Sequence, residues 1–280
     1  MNSKIKKTAI DIAAFILLSS GAVTMLFPFL WMVSTSLKHP NNVHMFPPQW
    51  IPDPVIWRNY IDIWTIAPLL SGIKNSAIVT FATLFIGTFS TSISAFAFAK
   101  MRFPHKQKLL QLILIMIMIP PVSIIIPQFI GFSKIGLTNT LWPLILPGLF
   151  GNVSMLFFLR QYMLGLSSEL MDAGKIDGCN YFGIYSRIFL PNCKPALAAN
   201  TIMWFMGLWN EFFGSLIYLN SPNKFTIQLV IATLHSYYAS QTNFPIIMAS
   251  SVVAILPVMI VFIAFQKYFT ESFALTGIKG

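Results

Sequence analysis

The chain has 280 residues, of which 56% are apolar and only 9% charged, and its net charge is +10. A soluble domain of this length carries far more charge on its surface, so the composition excludes that class and leaves an integral membrane protein. The positive excess is no nucleic-acid stripe, because the basic residues fall in clusters beside apolar runs, which is the pattern of membrane topology.

A spanning helix needs about 20 apolar residues. Six segments reach that length, at 9–36, 71–99, 109–131, 141–162, 195–219 and 245–269. They predict an all-α integral membrane fold of six transmembrane helices in one domain, 1–280. Lys4, Lys6 and Lys7 lead into the first segment as they would into a signal peptide, but the apolar run continues to about Leu37 and is too long for a cleaved one. With the N-terminus inside, thirteen of the eighteen Lys and Arg lie on the inner side. The positive-inside rule therefore predicts both termini and the 165–195 loop in the cytoplasm.

The first outer loop, 38–70, is rich in Pro, Trp and Asn, including Pro47, Pro48, Trp50, Trp57, Asn59 and Tyr60. It either meets an external partner or anchors at the membrane interface, where aromatic side chains collect. The second segment is crowded with Gly, Ala, Ser and Thr, which let helix backbones approach where lipid gives no drive to associate. The third carries Pro120, Pro121 and Pro127, each lacking a backbone donor. Broken backbone in a membrane is tolerated only when buried in protein or lining a cavity. Residues 118–128 are thus expected to face a translocation path or a partner helix; a packing kink is the other reading.

Between the fourth and fifth segments lies a polar stretch from Gly165 to Pro195, GLSSELMDAGKIDGCNYFGIYSRIFLPNCKP, with three of the chain's eight acids, Glu169, Asp172 and Asp177. Ser167 or Ser168 is placed to cap a helix whose first turn holds Glu169 and Asp172, where the dipole favours negative charge. Leu166, Leu170, Ala173 and Ile176 or Asp177 draw its narrow apolar side. Gly178 supplies a break, and Asn180 is placed to cap a second helix carrying Phe182, Tyr185, Ile188 and Phe189. Pro191 is expected to stop that helix. Two short helices meeting at a glycine make a protruding knob, a shape that fits a groove in another protein. Cys179 and Cys193, both in this stretch, read as free thiols.

The fifth segment reaches Trp209, Asn210 and Glu211, which places Glu211 roughly 22–24 Å along it. An acid at mid-membrane costs ~2.5–3.5 kcal/mol, and less near the interface. Two readings stand. Asn210 and Glu211, flanked by Trp204 and Trp209, present acceptors and aromatic faces to sugar hydroxyls, or Glu211 bonds a neighbouring helix or a partner subunit. No phosphate-binding loop is present: Gly131 and Gly136 have the spacing, but Leu137 stands where a Lys is needed. The four His (39, 44, 105, 235) lack metal-ligand spacing, and no nucleophile elbow occurs. The sequence offers no catalytic residue, no metal site and no cofactor site of its own, so the energy source is expected in another subunit.

The polar stretch resembles the cytoplasmic EAA loop of ABC-importer permeases: Glu-Ala-Ala, three residues, Gly, nine residues, Ile-x-Leu-Pro. Asp172-Ala173-Gly174 stands for the triplet, Gly178 follows after three residues, and Ile188, Leu190 and Pro191 complete the pattern. Asp for Glu keeps the charge on a shorter arm, while Gly174 for the second Ala is expected to loosen the first helix by ~1 kcal/mol. Trp209-Asn210-Glu211-Phe212, the entry from Phe27-Pro28 to Ser36-Leu37-Lys38, and Asn59-Tyr60 extend the likeness to permeases of the maltose type over nearly the whole chain.

That resemblance implies a type-I ABC importer permease fold in a bacterial plasma membrane. It implies that Glu169, Asp172, Ala173, Gly174, Asp177, Gly178, Ile188, Leu190 and Pro191 dock on a separate ATPase dimer, which carries the ATP and Mg. A homologous second permease and an extracytoplasmic solute-binding protein are the other implied partners, with membrane lipid around them and no nucleic acid. The implied substrate is a mono- or oligosaccharide, with a polyol phosphate as the alternative. The ending through Gly277 and Lys279 also resembles the family's tail, which implies a second contact with the ATPase; without the family it reads as a frayed end. An ion-gradient-driven secondary transporter is the competing class. It calls for internal repeats and more intramembrane ionisable groups than Asp11 and Glu211.

Overall fold

The computed structural model describes residues 2–238 and 243–277, and every regular element among them is helical. Four helical stretches are long and apolar enough to cross a membrane: Ile10–Ser36, Leu69–Lys100, Trp142–Leu164 and Phe244–Lys267. A fifth is added if Lys106–Ile117 and Pro121–Lys134, bent by 96° at their junction, form one broken span. The chain divides into two compact units, Met1–Leu69 with Ile231–Ile255, and Leu70–Val230 with Leu256–Gly280.

In the first unit, α1 (Asn2–Ser36) buries none of its most apolar 18-residue stretch, and its end is tied down. There Asn59, at the start of α2 (Asn59–Ile66), donates its amide to the carbonyls of Ser36 (2.8 Å) and Lys38 (3.1 Å), and the Ser36 and Tyr60 hydroxyls lie 2.7 Å apart. Trp50 sets its ring edge-on against Phe27 and Trp31. These contacts give Trp50 and Tyr60 of the 38–70 loop a packing role, while Phe46 and Trp57 stay exposed. Lys38 is almost wholly buried, its ammonium 4.0 Å from the centre of the Trp31 ring and without a hydrogen-bond partner among the described residues. Burial pushes its pKa below the usual lysine value.

In the second unit, α3 (Leu69–Lys100) uses its small residues for close approach. A Cβ on Gly87 would strike the Gly148 carbonyl and the Trp204 ring. Thr91 donates to the Gly87 carbonyl (2.6 Å) and accepts from the Asn152 N–H (2.9 Å). That bond joins α3 to α7 (Val153–Leu164), which follows α6 (Trp142–Leu149) after a three-residue break at Gly151. The third predicted segment is two helices, α4 (Lys106–Ile117) and α5 (Pro121–Lys134), parted where Pro120 and Pro121 remove two consecutive donors.

The loop then forms α8 (Glu169–Ile176) and α9 (Tyr181–Ile184), and α9 widens into one π turn over Tyr185–Phe189 before α10 (Leu190–Asn192). The fifth segment is α11 (Lys194–Trp209), only 16 residues, and α12 (Phe213–Tyr218), split at Asn210–Phe212. The chain ends through α13 (Ile227–Tyr238) and α14 (Phe244–Gly277), the latter with Pro257 inside.

Pro191 does not stop the second loop helix as expected. The π turn lets the Leu190 N–H reach the Tyr185 carbonyl five residues back, and Pro191 then sits in a first turn, where its missing N–H costs nothing. Helix runs on from Tyr181 to Trp209 with a single interruption at Cys193.

Candidate functional site

A cluster of buried apolar residues in the second unit lies where the 165–195 loop meets α3 and α7. It combines Ala95, Phe96 and Ala99 with Met155, Leu159 and Met163, and the loop contributes Met171, Ile184, Tyr185, Phe189 and Cys193. The loop is therefore half core and half surface. Each large side chain it buries is worth roughly 1.5–3 kcal/mol, so its inner side is held stiffly.

The elbow follows from local chemistry. Ser167 Oγ, rather than that of Ser168, accepts the Glu169 N–H (3.1 Å) at the entry of α8. At its exit Gly178 adopts φ +75°; its N–H bonds the Lys175 carbonyl and the Cys179 N–H bonds the Gly174 carbonyl. This pair of bonds closes a helix on a left-handed residue, the conformation that glycine enters most cheaply. Asn180 Oδ1 then accepts the Gly183 N–H (2.7 Å) and starts α9, as its position in the sequence predicts.

The buried face of α8 is Met171 and Gly174, flanked by Leu166 and Leu170; Ala173 and Ile176, expected on that side, point outward. Gly174 has a packing reason. A Cβ there would lie 2.8 Å from Ile188 Cδ1 and 3.0 Å from Ile184 Cγ1, so α8 sits closer to α9 and its π turn than an alanine allows. The outer face bears Ile176 (86% exposed), Tyr181 (50%) and Phe182 (56%). Around them stand exposed Glu169, Asp172, Asp177 and Pro191, with Asp172 and Lys175 paired at 3.6 Å on the open surface, where such a pair contributes little. Ile188 and Leu190 are half-buried beneath. Cys193 is wholly buried and burial pushes its thiol up to about 12, so it is inert.

The second predicted group separates. Trp209 is 2% exposed and stacks on Phe205 inside the unit, whereas Asn210 is exposed. Glu211 Oε1 accepts the Gly214 N–H (2.6 Å), so its carboxylate caps α12. Asn210 Oδ1 accepts from Gln228 Nε2 (3.0 Å), a partner that sequence reasoning missed. Gln228 is brought there because Asn75 donates to the carbonyls of Asn223 and Phe225, and Ser76 Oγ accepts the Ile227 N–H. No local pattern announces contacts about 150 positions apart.

A cavity of about 780 Å³ opens between α3 and α11, with Phe81, Phe85, Phe89, Leu197 and Phe265 among its almost wholly apolar walls, and Tyr185 borders it. Such walls do not suit a polyhydroxy ligand. Of the two tail residues, Gly277 ends α14, and Lys279 lies outside the described residues.

A membrane-embedded helical unit with a two-helix knob bolted to its core is the form of an importer permease, and comparison with known proteins agrees. Residues 91–274 match the family described as binding-protein-dependent transport system inner membrane component. The arabinooligosaccharides transport system permease protein AraQ of Halalkalibacterium halodurans is 36% identical over 230 residues, covering 82% of this chain and 81% of its own. The lactose transport system permease protein LacG of Rhizobium radiobacter is 27% identical, covering 97% and 98%. In fold, the chain is similar to a solved bacterial ABC transporter involved in the import of the acidic polysaccharide alginate, with TM-score 0.81, 22% identity and coverage of 94% and 98%. The chain belongs to the inner-membrane components of binding-protein-dependent transport systems. It is a permease subunit of an ABC importer with the type-I fold, a transport component and not an enzyme.

Proposed function

We propose that this chain forms half of the translocation path of a saccharide importer and is driven through the knob at 167–191 by a separate ATPase dimer holding ATP and Mg. The carrying observation is the knob's two-sidedness. Three large apolar side chains, Ile176, Tyr181 and Phe182, stand exposed within a rim of charge, while the inner side is built into the core. Apolar surface rimmed by polar residues marks a protein interface. Stiffness matters because moving a 1:99 conformational equilibrium to 99:1 takes ~5.5 kcal/mol of differential binding, which a slack tether does not pass on.

In this reading Glu169, Asp172, Ala173, Asp177, Gly178 and Pro191 shape the docking face, with Gly174, Ile188 and Leu190 beneath it, and the tail at Gly277 and Lys279 makes a second contact. Six crossings with both termini cytoplasmic, a homologous second permease and an external solute-binding protein complete the assembly. The positive-inside count supports that orientation. The substrate class is a mono- or oligosaccharide, a reading supported by relatives named for arabinooligosaccharides, lactose and diacetylchitobiose that match this chain over most of its length. Asn210 and Gln228 supply an exposed amide pair suited to hydroxyl groups.

The test is co-purification of the intact importer, with mass spectrometry of the bound chains and solutes. Ile176→Glu and Phe182→Glu alter only exposed positions and are expected to release the ATPase while the chain still inserts. Retention of the ATPase by both variants refutes the docking role, and a non-saccharide solute refutes the substrate class.

A further inference from the structure

We propose that Tyr185 is a positioning residue that fastens α3 to the loop, so that α3 and α11, two of the helices that line the 780 Å³ cavity, follow the loop together. This rests on the reading of the loop as the ATPase-docking knob. α11 receives any displacement of the loop through its own backbone, because helix continues from Tyr181 to Trp209 with one interruption. α3 lies some ninety residues upstream and has no such link. Its connection to the second half of the loop is made by side chains.

Four ring and hydrogen-bond contacts make that connection, one of them the Lys100 ammonium 5.5 Å from the centre of the Phe189 ring. The Tyr185 hydroxyl lies 2.7 Å from Ser92 Oγ, and the Phe96 ring packs 5.6 Å from that of Tyr185 and 5.2 Å from that of Phe189. Only the hydrogen bond is directional. Ser92 Oγ also lies 3.0 Å from the Phe89 carbonyl, which takes the single serine proton, so Tyr185 is the donor and Ser92 the acceptor. Tyr185 is 2% exposed, so no solvent competes for the bond, and burial pushes the phenol pKa above its ordinary value and keeps the proton in place.

The same ring faces the surface side. Phe182, more than half exposed on the docking face, lies 5.9 Å from Tyr185, so a partner pressing on Phe182 bears on Tyr185 and through it on Ser92 and Phe96. The ring also borders the cavity, which leaves it room to shift on one side without displacing packed atoms. Lys100 Nζ, donating to the Leu166 carbonyl (2.7 Å), holds the other end of the loop to the end of α3. Tyr185 therefore closes a frame whose remaining sides are already joined.

Adjacency is not coupling, so the test reads the two helices separately. In the intact importer, on a Cys179→Ser background, spin labels are placed at exposed positions by Phe85→Cys on α3 and Met203→Cys on α11. Spectra are compared with ADP and with ATP plus vanadate. Both labels are expected to change with nucleotide. In Tyr185→Phe and in Ser92→Ala, the equilibrium between spectral components at 85 is expected to shift by about fivefold, the worth of one buried hydrogen bond. The change at 203 is expected to persist. The double variant adds nothing, and Ser92→Thr, which keeps the hydroxyl, restores the change. A response at 85 that survives Tyr185→Phe intact overturns the proposal, as does an equal loss at both positions, which marks a general loss of structure. Absence of any change at 203 in the unaltered protein overturns the docking reading itself.

Discussion

Gly174 departs from the family's alanine, and its surroundings set a quantitative expectation. Replacing glycine by alanine within a helix ordinarily gains ~1 kcal/mol. Here the added Cβ would meet Ile188 Cδ1 at 2.8 Å and Ile184 Cγ1 at 3.0 Å. Ile184 is wholly buried, while Ile188 is partly exposed and offends only with its terminal methyl. Overpacking of this kind costs ~1–3 kcal/mol, so Gly174→Ala alone is expected to be neutral or to lose up to ~2 kcal/mol. Ile188→Val deletes the offending methyl and, at a half-buried site, costs ~0.5–1 kcal/mol by itself. Together the two changes recover the helical gain without the tighter clash and leave only Ile184 to give way, so the double variant is expected to be ~1 kcal/mol more stable than the sum of the singles. Thermal unfolding of the purified importer, with protease cleavage at the loop as a local probe, measures the cycle. Strict additivity of the two changes refutes the packing explanation.

Gly178→Ala, forced to φ +75°, is expected to cost ~1 kcal/mol and to raise loop cleavage by protease, whereas alanine at the equally exposed Asp177 is expected to leave it unchanged. At pH 8 a maleimide is expected to label the half-exposed Cys179 and spare Cys193, whose thiolate fraction is ~10⁻⁴ with its pKa near 12; mass mapping of the adducts decides. Lys38→Met keeps the buried stem and removes an ammonium that has lost its water, so it is expected to raise the melting temperature at neutral pH. Because the folded-state pKa of Lys38 is lowered, the unfolded chain binds the extra proton, and wild-type stability rises with pH from the folded value toward 10.5; the gap between wild type and Lys38→Met is expected to narrow over that window. Asn210→Ala and Gln228→Ala are expected to weaken uptake to similar extents with no additional loss in the double variant, and additive losses refute a shared role.

The loop was the most legible part of the chain because its instructions are local. Gly178 needs a left-handed φ, Asn180 needs only the N–H three residues on, and paired prolines break a helix wherever they fall. The stretches that misled reasoning from sequence are those decided by distant neighbours. Pro191 reads as a terminator until the π turn over Tyr185–Phe189 is seen to move the missing donor into a first turn. The inward face of α8 is set by what lies across from it, so Met171 and Gly174 turn in and Ile176 turns out. Length alone made 195–219 one unbroken helix, but the Glu211 carboxylate caps a new helix at Gly214 and the helix is parted at Asn210–Phe212. Gln228 could not have been found beside Asn210 without the bonds that Asn75 and Ser76 make to the segment preceding it.

The bareness of α1 bears on how the protein is made. Over its most apolar 18-residue stretch none of the described residues is buried, so burial against later segments is not what holds the helix in the bilayer. The helix is therefore free to settle in the bilayer before the segments that follow it are made. The bonds that later gather Ser36, Lys38, Asn59 and Tyr60 then fasten α2 to a mast already standing.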